Sequence, residues 1–299
     1  MFDTSPQLDC NGRILRLDVP RVMGIVNVTP DSFSDGGAHD DVEAAVAHGL
    51  QLVAEGADLL DIGGESTRPG AEEVPVEEEL RRVIPVIERL AKDTSVPISI
   101  DTSKPEVMRA AVEAGAGMIN DVFALRREGA LDAAAALRVP VVLMHMLGEP
   151  RSMQDAPYYD DVVGQVHRFL AERIFSAEMA GIDRKRIVVD PGFGFGKTTQ
   201  HNMQLLAQLR RFTELGVPVL AGLSRKRSIG ELTGRELPQT RVAGSVAAHL
   251  IAAQHGAMLL RVHDVAATVD AMKVWQAVAS VPAPRKDAGH PSIIWPDDV

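Results

Sequence analysis

The sequence predicts an α/β protein built as one (β/α)8 barrel, and three observations carry that prediction. Short β-branched segments alternate with amphipathic helical segments from about residue 21 to residue 280. Eight such units occur, which suits a closed parallel barrel of roughly 250 residues. Several strand segments, such as "PVVLM" and "IVVD", are apolar on both faces, as in a sheet covered by helices. Alternation of this kind implies parallel βαβ units. An open doubly wound sheet is the alternative. It would want a G-x-G-x-x-G turn after the first strand, and "NVTPDS" is not one.

In order, the strand segments are "RVMGIVNV", "ADLLDIG", "PISID", "GMIND", "PVVLMH", "RIVVD", "PVLAG" and "AMLLRVH". Helices are expected over 41–55, 76–92, 105–114, 129–137, 160–180, 199–215, 239–255 and 265–278. "RRVIPVIERLAKD" and "LRRFTEL" carry charges around an apolar stripe, as a solvated outer ring would. "HLIAAQHGAMLL" suits either the core or a subunit surface. Residues 1–20 form an N-terminal segment without the apolar centre of a signal peptide. Residues 21–280 are the barrel domain, and 281–299 a Pro-rich, loose tail.

The net charge of −10 gives no basic footprint for nucleic acid or an anionic membrane. No apolar run approaches a membrane span. The single cysteine, Cys10, excludes an internal disulfide and fits a reducing cytoplasm.

Barrel active sites lie at the C-terminal ends of the strands. Here those ends read Asn27; Asp61 with Gly63 and Gly64; Asp101; Asn120 and Asp121; His145; Asp190; "GLSRKRS"; and Arg261 with His263. Any one of these could merely cap a helix, but eight converging on one mouth call for more than capping. Asp101, Asn120 and Asp190 can hydrogen-bond a flat, nitrogen-rich ring, since a carboxylate meets an N–C–NH2 edge with two parallel bonds. Arg261 could stack on such a ring. Arg68, Lys226, Arg261 and His263 add positive charge suited to phosphates. Asn27 is a neutral oxygen ligand of the kind Mg2+ accepts beside phosphate and water.

With these residues in view, the chain resembles the dihydropteroate synthase family of pterin-binding TIM barrels. The motifs are "GIVNVTPDSFSDGG", "GADLLDIGGESTRPGA", "PISIDTSKPEVMRAAVEAGAGMINDV", "VVLMHM", "DPGFGFGKT" and "LSRKRSIG", with the shorter "RVHDV" in the right place. The resemblance implies condensation of 6-hydroxymethyl-7,8-dihydropterin diphosphate with p-aminobenzoate in folate biosynthesis, with Mg2+ and a homodimer. It puts Asp101, Asn120, Asp190, Lys226 and Arg261 around the pterin. Asn27, as metal ligand, joins Thr67, Arg68, Arg261 and His263 at the diphosphate. Phe33, Thr67, Pro69, Gly194, Phe195 and Lys226 are placed around p-aminobenzoate. Arg227 stands where the family often has a Ser facing the substrate carboxylate, so a backbone N–H is the substitute there.

On that reading the C–O bond breaks before the amine attacks, and anionic Asp101 and Asp190 favour the pterin cation. "TPDSFSDGG" then serves as a loop that excludes water, with Phe33 as its apolar wall and Asp35 or Asp31 near the cation or metal. "STRPGA" is its partner loop. Asp61 is expected to fix the glycine turn after it, His145 to be structural, and Met144 to be core or pocket wall. "GFGFGKT" lacks phosphate-loop spacing. The competing functions are a pterin-dependent methyltransferase, which would need neither "TPDSFSDGG" nor "SRKRS", and a silent pterin-binding paralogue.

Overall fold

Period-two alternation along the strands sorts the apolar residues into two cores and fixes where the polar ones emerge. The computed structural model describes residues 6–29, 38–66, 73–148 and 157–281. A hairpin of β1 (Gln7–Cys10) and β2 (Arg13–Arg16) precedes the barrel strands. These are β3 (Arg21–Asn27), β4 (Leu59–Gly63), β5 (Ile98–Asp101), β6 (Met118–Asp121), β7 (Val141–Met144), β8 (Ile187–Asp190), β9 (Val219–Ala221) and β10 (Ala257–Val262). They close a parallel barrel in the order β10-β3-β4-β5-β6-β7-β8-β9. All eight coincide with strands expected from the sequence, and the closed order replaces the open-sheet alternative.

The helices are α1 (Ala38–Ala54), α2 (Val76–Asp93), α3 (Pro105–Glu113), α4 (Ala130–Leu137), α5 (Val162–Met179), α6 (Thr199–Ala207), α7 (Arg210–Thr213), α8 (Arg227–Thr233), α9 (Val242–Gln254) and α10 (Val265–Ala279). Side chains open some of them: Asp161 accepts from the Gly164 N–H at α5, and Thr198 and His201 form a reciprocal capping box at α6. The expected helix 199–215 is two helices, because Gln208 leaves helical geometry (φ −110°, ψ 21°). The expected helix 239–255 opens with a 3-10 turn, Pro238–Arg241. The short α8, which the periodicity did not predict, stops at Gly234 in the left-handed region (φ +66°).

Val26, Leu60, Ile62, Ile100, Ile119, Leu143 and Val189 pack outward against the helices. The opposite parity fills the lumen with Met23, Leu59, Met118, Val142, Val188, Leu220 and Leu259. Two residues further along, the same lumen-facing parity carries Asp61, Asn120, Asp190 and Arg261. Strand alternation therefore turns the lumen core into a polar mouth at the C-terminal end.

The other end of the lumen is closed by the hairpin, whose Leu8, Cys10, Leu15 and Leu17 join the lumen cluster. Asn11 and Gly12 both take positive φ (56° and 82°), as a type I′ turn demands. The polar composition of 1–20 does not predict this plug, and the Asn11-Gly12 dipeptide signals only the hairpin turn. Burial pushes the Cys10 thiol up to about 12, so it stays protonated. Arg13 ties the hairpin down by donating to the carbonyls of Val96 and Ala91, each at 2.6 Å. A Cβ on Gly117 would lie 2.3 Å from the Cys10 carbonyl oxygen. Gly117→Ala is therefore expected to lift the plug and destabilise the protein by about 1–3 kcal/mol. Thermal unfolding tests this, and an unchanged Tm would mean that the hairpin does not seat against Gly117.

Candidate active site

Arg261 on β10 organises the mouth. Its Nε donates to Asp61 Oδ2 at 2.5 Å and its Nη2 to Asp101 Oδ2 at 2.7 Å. Asn120 Nδ2 donates to the same Asp61 oxygen at 2.9 Å. Strand register makes this possible, since Asp101 lies opposite Gly63 on one side and Asn120 on the other. Asp61 does not serve the glycine turn, as its position before Gly63 suggests. Two residues above Leu59, it faces the lumen, where it is fully buried and holds Arg261 and Asn120. Sequence reasoning missed this role, although the parity of Leu59, Asp61 and Gly63 already carried the signal. Asp121 has the opposite parity and turns outward. There it accepts from the Phe123 and Leu125 N–H groups and from the Ser103 hydroxyl, so it shapes a turn.

Electrostatics follow from burial in this ring of charges. Desolvation pushes Asp101 up to about 7 against the pull of Arg261, with Asp61 adding to the rise. Desolvation likewise pushes Asp190 up to about 6, opposed by the Gly192 N–H that donates to it at 2.7 Å. The two carboxylates are thus not the fixed anions expected from the sequence, but titrate close to neutrality. Burial works against the charge of Arg261, yet Asp61 and Asp101 hold it protonated. Burial, reinforced by Arg261, lowers Lys226 to about 8 and His263 to about 3. His263 is therefore neutral here, a hydrogen-bonding group and not the cation expected. The His263 backbone N–H donates to Ser224 Oγ at 3.1 Å, and the ring Nδ1 lies 3.0 Å from the same oxygen.

Lys226, at the N-terminus of α8, places its Nζ 4.2 Å from the centroid of the Phe195 ring. Gly194 lies beside it. A Cβ there would stand 3.2 Å from Lys226 Cδ, and its φ of +81° suits glycine. Gly194, Phe195 and Lys226 thus lie against one another. "GFGFGKT" cradles no phosphate through its lysine. Lys197 is buried and turns back on its own loop, with Nζ 2.9 Å from the Gly192 and Phe195 carbonyls and from His145 Nδ1. His145 is structural, as expected; burial, helped by Lys197, lowers it to about 2. Lys197→Met is expected to strand the Phe195 carbonyl and His145 Nδ1 and to destabilise the protein by at least about 1–3 kcal/mol. Urea unfolding checks this, and an unchanged midpoint would refute it.

The Arg227 side chain is 83% exposed and pairs with Glu231 at 2.7 Å along α8. Only its backbone N–H, in the first turn of α8, remains for a substrate carboxylate. Phe33, Asp35, Asp31, Thr67, Arg68 and Pro69 lie outside the described residues. Asn27 ends β3, half-buried, opposite Gly63. Among the described residues no group of three His, Cys, Asp or Glu side chains could hold a metal. One neutral amide oxygen at the rim nevertheless fits an ion that takes most of its shell from phosphate and water.

Comparison with known proteins matches residues 23–263 to a family described as pterin binding enzyme. The chain is 52% identical over 274 residues to dihydropteroate synthase of Escherichia coli K12, covering 92% of this chain and 97% of that protein. It is 43% identical over 258 residues to dihydropteroate synthase of Synechocystis, covering 86% and 89%. Among solved structures, Xanthomonas albilineans dihydropteroate synthase with 4-aminobenzoic acid shares 78% identity. Its TM-score is 0.90, over 93% of this chain and 100% of that one. The same enzyme with 7,8-dihydropteroate superposes with a TM-score of 0.86 at 75% identity over the same shares.

Proposed function

Since the chain belongs to the pterin-binding enzymes and, among them, to the dihydropteroate synthases, we propose a role for each part of the mouth in that reaction. The protein is a transferase of folate biosynthesis that joins 6-hydroxymethyl-7,8-dihydropterin diphosphate to p-aminobenzoate, giving 7,8-dihydropteroate and pyrophosphate. The observation that supports the assignment of roles is the convergence of Asp61, Asp101, Asn120 and Arg261 from four strands on one hydrogen-bonded cluster. Asp101, Asn120, Asp190, Lys226 and Arg261 take the pterin, whose N–H-rich edge suits carboxylate acceptors. Arg68, Thr67, Arg261 and His263 take the diphosphate. Phe33, Pro69, Gly194, Phe195, Lys226 and the Arg227 N–H surround p-aminobenzoate.

The chemistry needs no protein nucleophile. As the methylene C–O bond breaks, positive charge spreads into the dihydropterin ring, and Asp101 and Asp190 in their ionised forms stabilise it. Arg261 and the His263 ring, as hydrogen-bond donors, follow the growing charge of the departing diphosphate. The amine of p-aminobenzoate, unprotonated at neutral pH, attacks the methylene and then loses a proton. Asn27 would hold Mg2+, which supplies charge neutralisation to the diphosphate when bound. A homodimer in the cytoplasm completes the proposal. No helix among the described residues is long and apolar enough to cross a membrane.

The test is pyrophosphate release from the pterin diphosphate with Mg2+, with and without p-aminobenzoate. Release that depends on p-aminobenzoate, with dihydropteroate formed, is expected. Pterin binding without condensation would instead identify a silent paralogue.

A further inference from the structure

We infer that Asp61 is a positioning residue of the pterin pocket: it holds the Asn120 carboxamide with its oxygen turned away from Asp61, toward the ring, and it sets the plane of the Arg261 guanidinium. This rests on the functional reading above and assigns a role to a side chain with no place in that reading's chemistry. A carboxylate can only accept, so the Asn120 atom 2.9 Å from Asp61 Oδ2 must be the amide nitrogen. The Asn120 oxygen is then left as an acceptor for a ring N–H.

The same Asp61 oxygen takes Arg261 Nε while Asp101 takes Nη2. Two carboxylates from neighbouring strands thereby lock the guanidinium plane, and Arg261 can lie against a flat ring without having to be ordered by it. Packing alone would not keep such a residue here. Asp61 is fully buried, and its Oδ1 finds no hydrogen-bond partner among the described residues. A half-satisfied buried carboxylate is destabilising beside an apolar alternative of similar volume. Register puts Ser99 opposite Asp61, and its hydroxyl also lacks a partner there, so that pair does not relieve the orphaned oxygen.

The test removes the acceptor and then restores it. Asp61→Leu and Asp61→Asn are compared with wild type by calorimetric titration of 6-hydroxymethylpterin. Asp61→Leu is expected to weaken binding at least tenfold, because nothing then accepts from Asn120 Nδ2 and Arg261 Nε. Asp61→Asn is expected to bind at least fivefold tighter than Asp61→Leu, because its amide oxygen can take the Oδ2 position and accept from both groups while its NH2 takes the place of the unpartnered Oδ1.

An Asp61→Leu protein that binds like wild type, or an Asp61→Asn protein that binds no better than Asp61→Leu, overturns the inference and leaves the functional reading intact. A wild type that binds no pterin overturns both. A second measurement needs no variant to fold: the Asn120 carboxamide protons of the free wild-type protein should exchange slowly with solvent. Exchange as fast as that of an exposed side-chain amide overturns the inference.

Discussion

Arg261→Ala is expected to reduce kcat/KM by at least about a thousandfold and to destabilise the free protein by about 3–5 kcal/mol. The two losses have one origin. Arg261 is the ion-pair partner of both Asp61 and Asp101, at 2.5 and 2.7 Å, and Asp61 is fully buried. Removing the guanidinium leaves two carboxylates facing each other in a desolvated lumen, and breaking a buried pair in this way carries the large penalty. The same change removes the group proposed to meet the ring and the departing diphosphate. Arg261→Lys keeps the charge but not the fork, since one ammonium cannot reproduce the planar Nε and Nη2 geometry. It should recover most of the stability and little of the turnover. Denaturant unfolding and steady-state kinetics on both variants provide the check. Full stability in Arg261→Ala would show that the network of Asp61, Asp101 and Arg261 contributes nothing to folding.

Asp190→Asn is expected to lower kcat/KM by about a hundred- to a thousandfold, through loss of a charge facing the developing cation. The amide keeps an oxygen for the Gly192 N–H, so the turn after β8 should survive. The pH behaviour has two opposed signs. In the wild type Asp101 lies near 7 and Asp190 near 6, both above the ordinary 3.8, because burial penalises their charged forms. Activity needs the charged forms, so kcat/KM should fall as pH drops through 7 and 6. Stability runs the other way. The folded protein holds these protons more tightly than the unfolded chain, so the contribution is fully present below about pH 4 and lost as pH rises through 6 and 7. Asp190→Asn should therefore be more stable than wild type at pH 8, where wild type must bury that charge. It should also lose the lower step of the acid limb. Urea unfolding at pH 5 and pH 8, with a kcat/KM profile, tests both. An acid limb lying wholly below pH 5, or a variant less stable than wild type at pH 8, would refute this account of Asp190.

Much of the site was legible because its residues sit at strand ends. A strand end is recognisable from the apolar run before it, and the barrel rule then says where the ends meet. That logic sends Asp101, Asn120, Asp190 and Arg261 to one end of the barrel, where the structure has them, and the motifs of the resemblance bring in Lys226, Gly194 and Phe195, which the structure places against one another. It misjudged side chains whose direction depends on a partner elsewhere. His263 reads as a cation until burial and Arg261 make it neutral. Asp61 reads as a turn residue until Arg261, 200 positions away, closes on it.

The sequence by itself determined the eight strands, the helical ring and the polar character of the mouth. Each of these follows from short-range periodicity, which the chain expresses within ten or so residues. The tertiary structure decided which acid holds which base, which carboxylates titrate near neutrality, and that the N-terminal hairpin plugs the lumen. These depend on barrel closure. Closure brings β10 beside β3 and removes water from the groups between them, and neither long-range pairing nor desolvation is written in any local stretch of the chain.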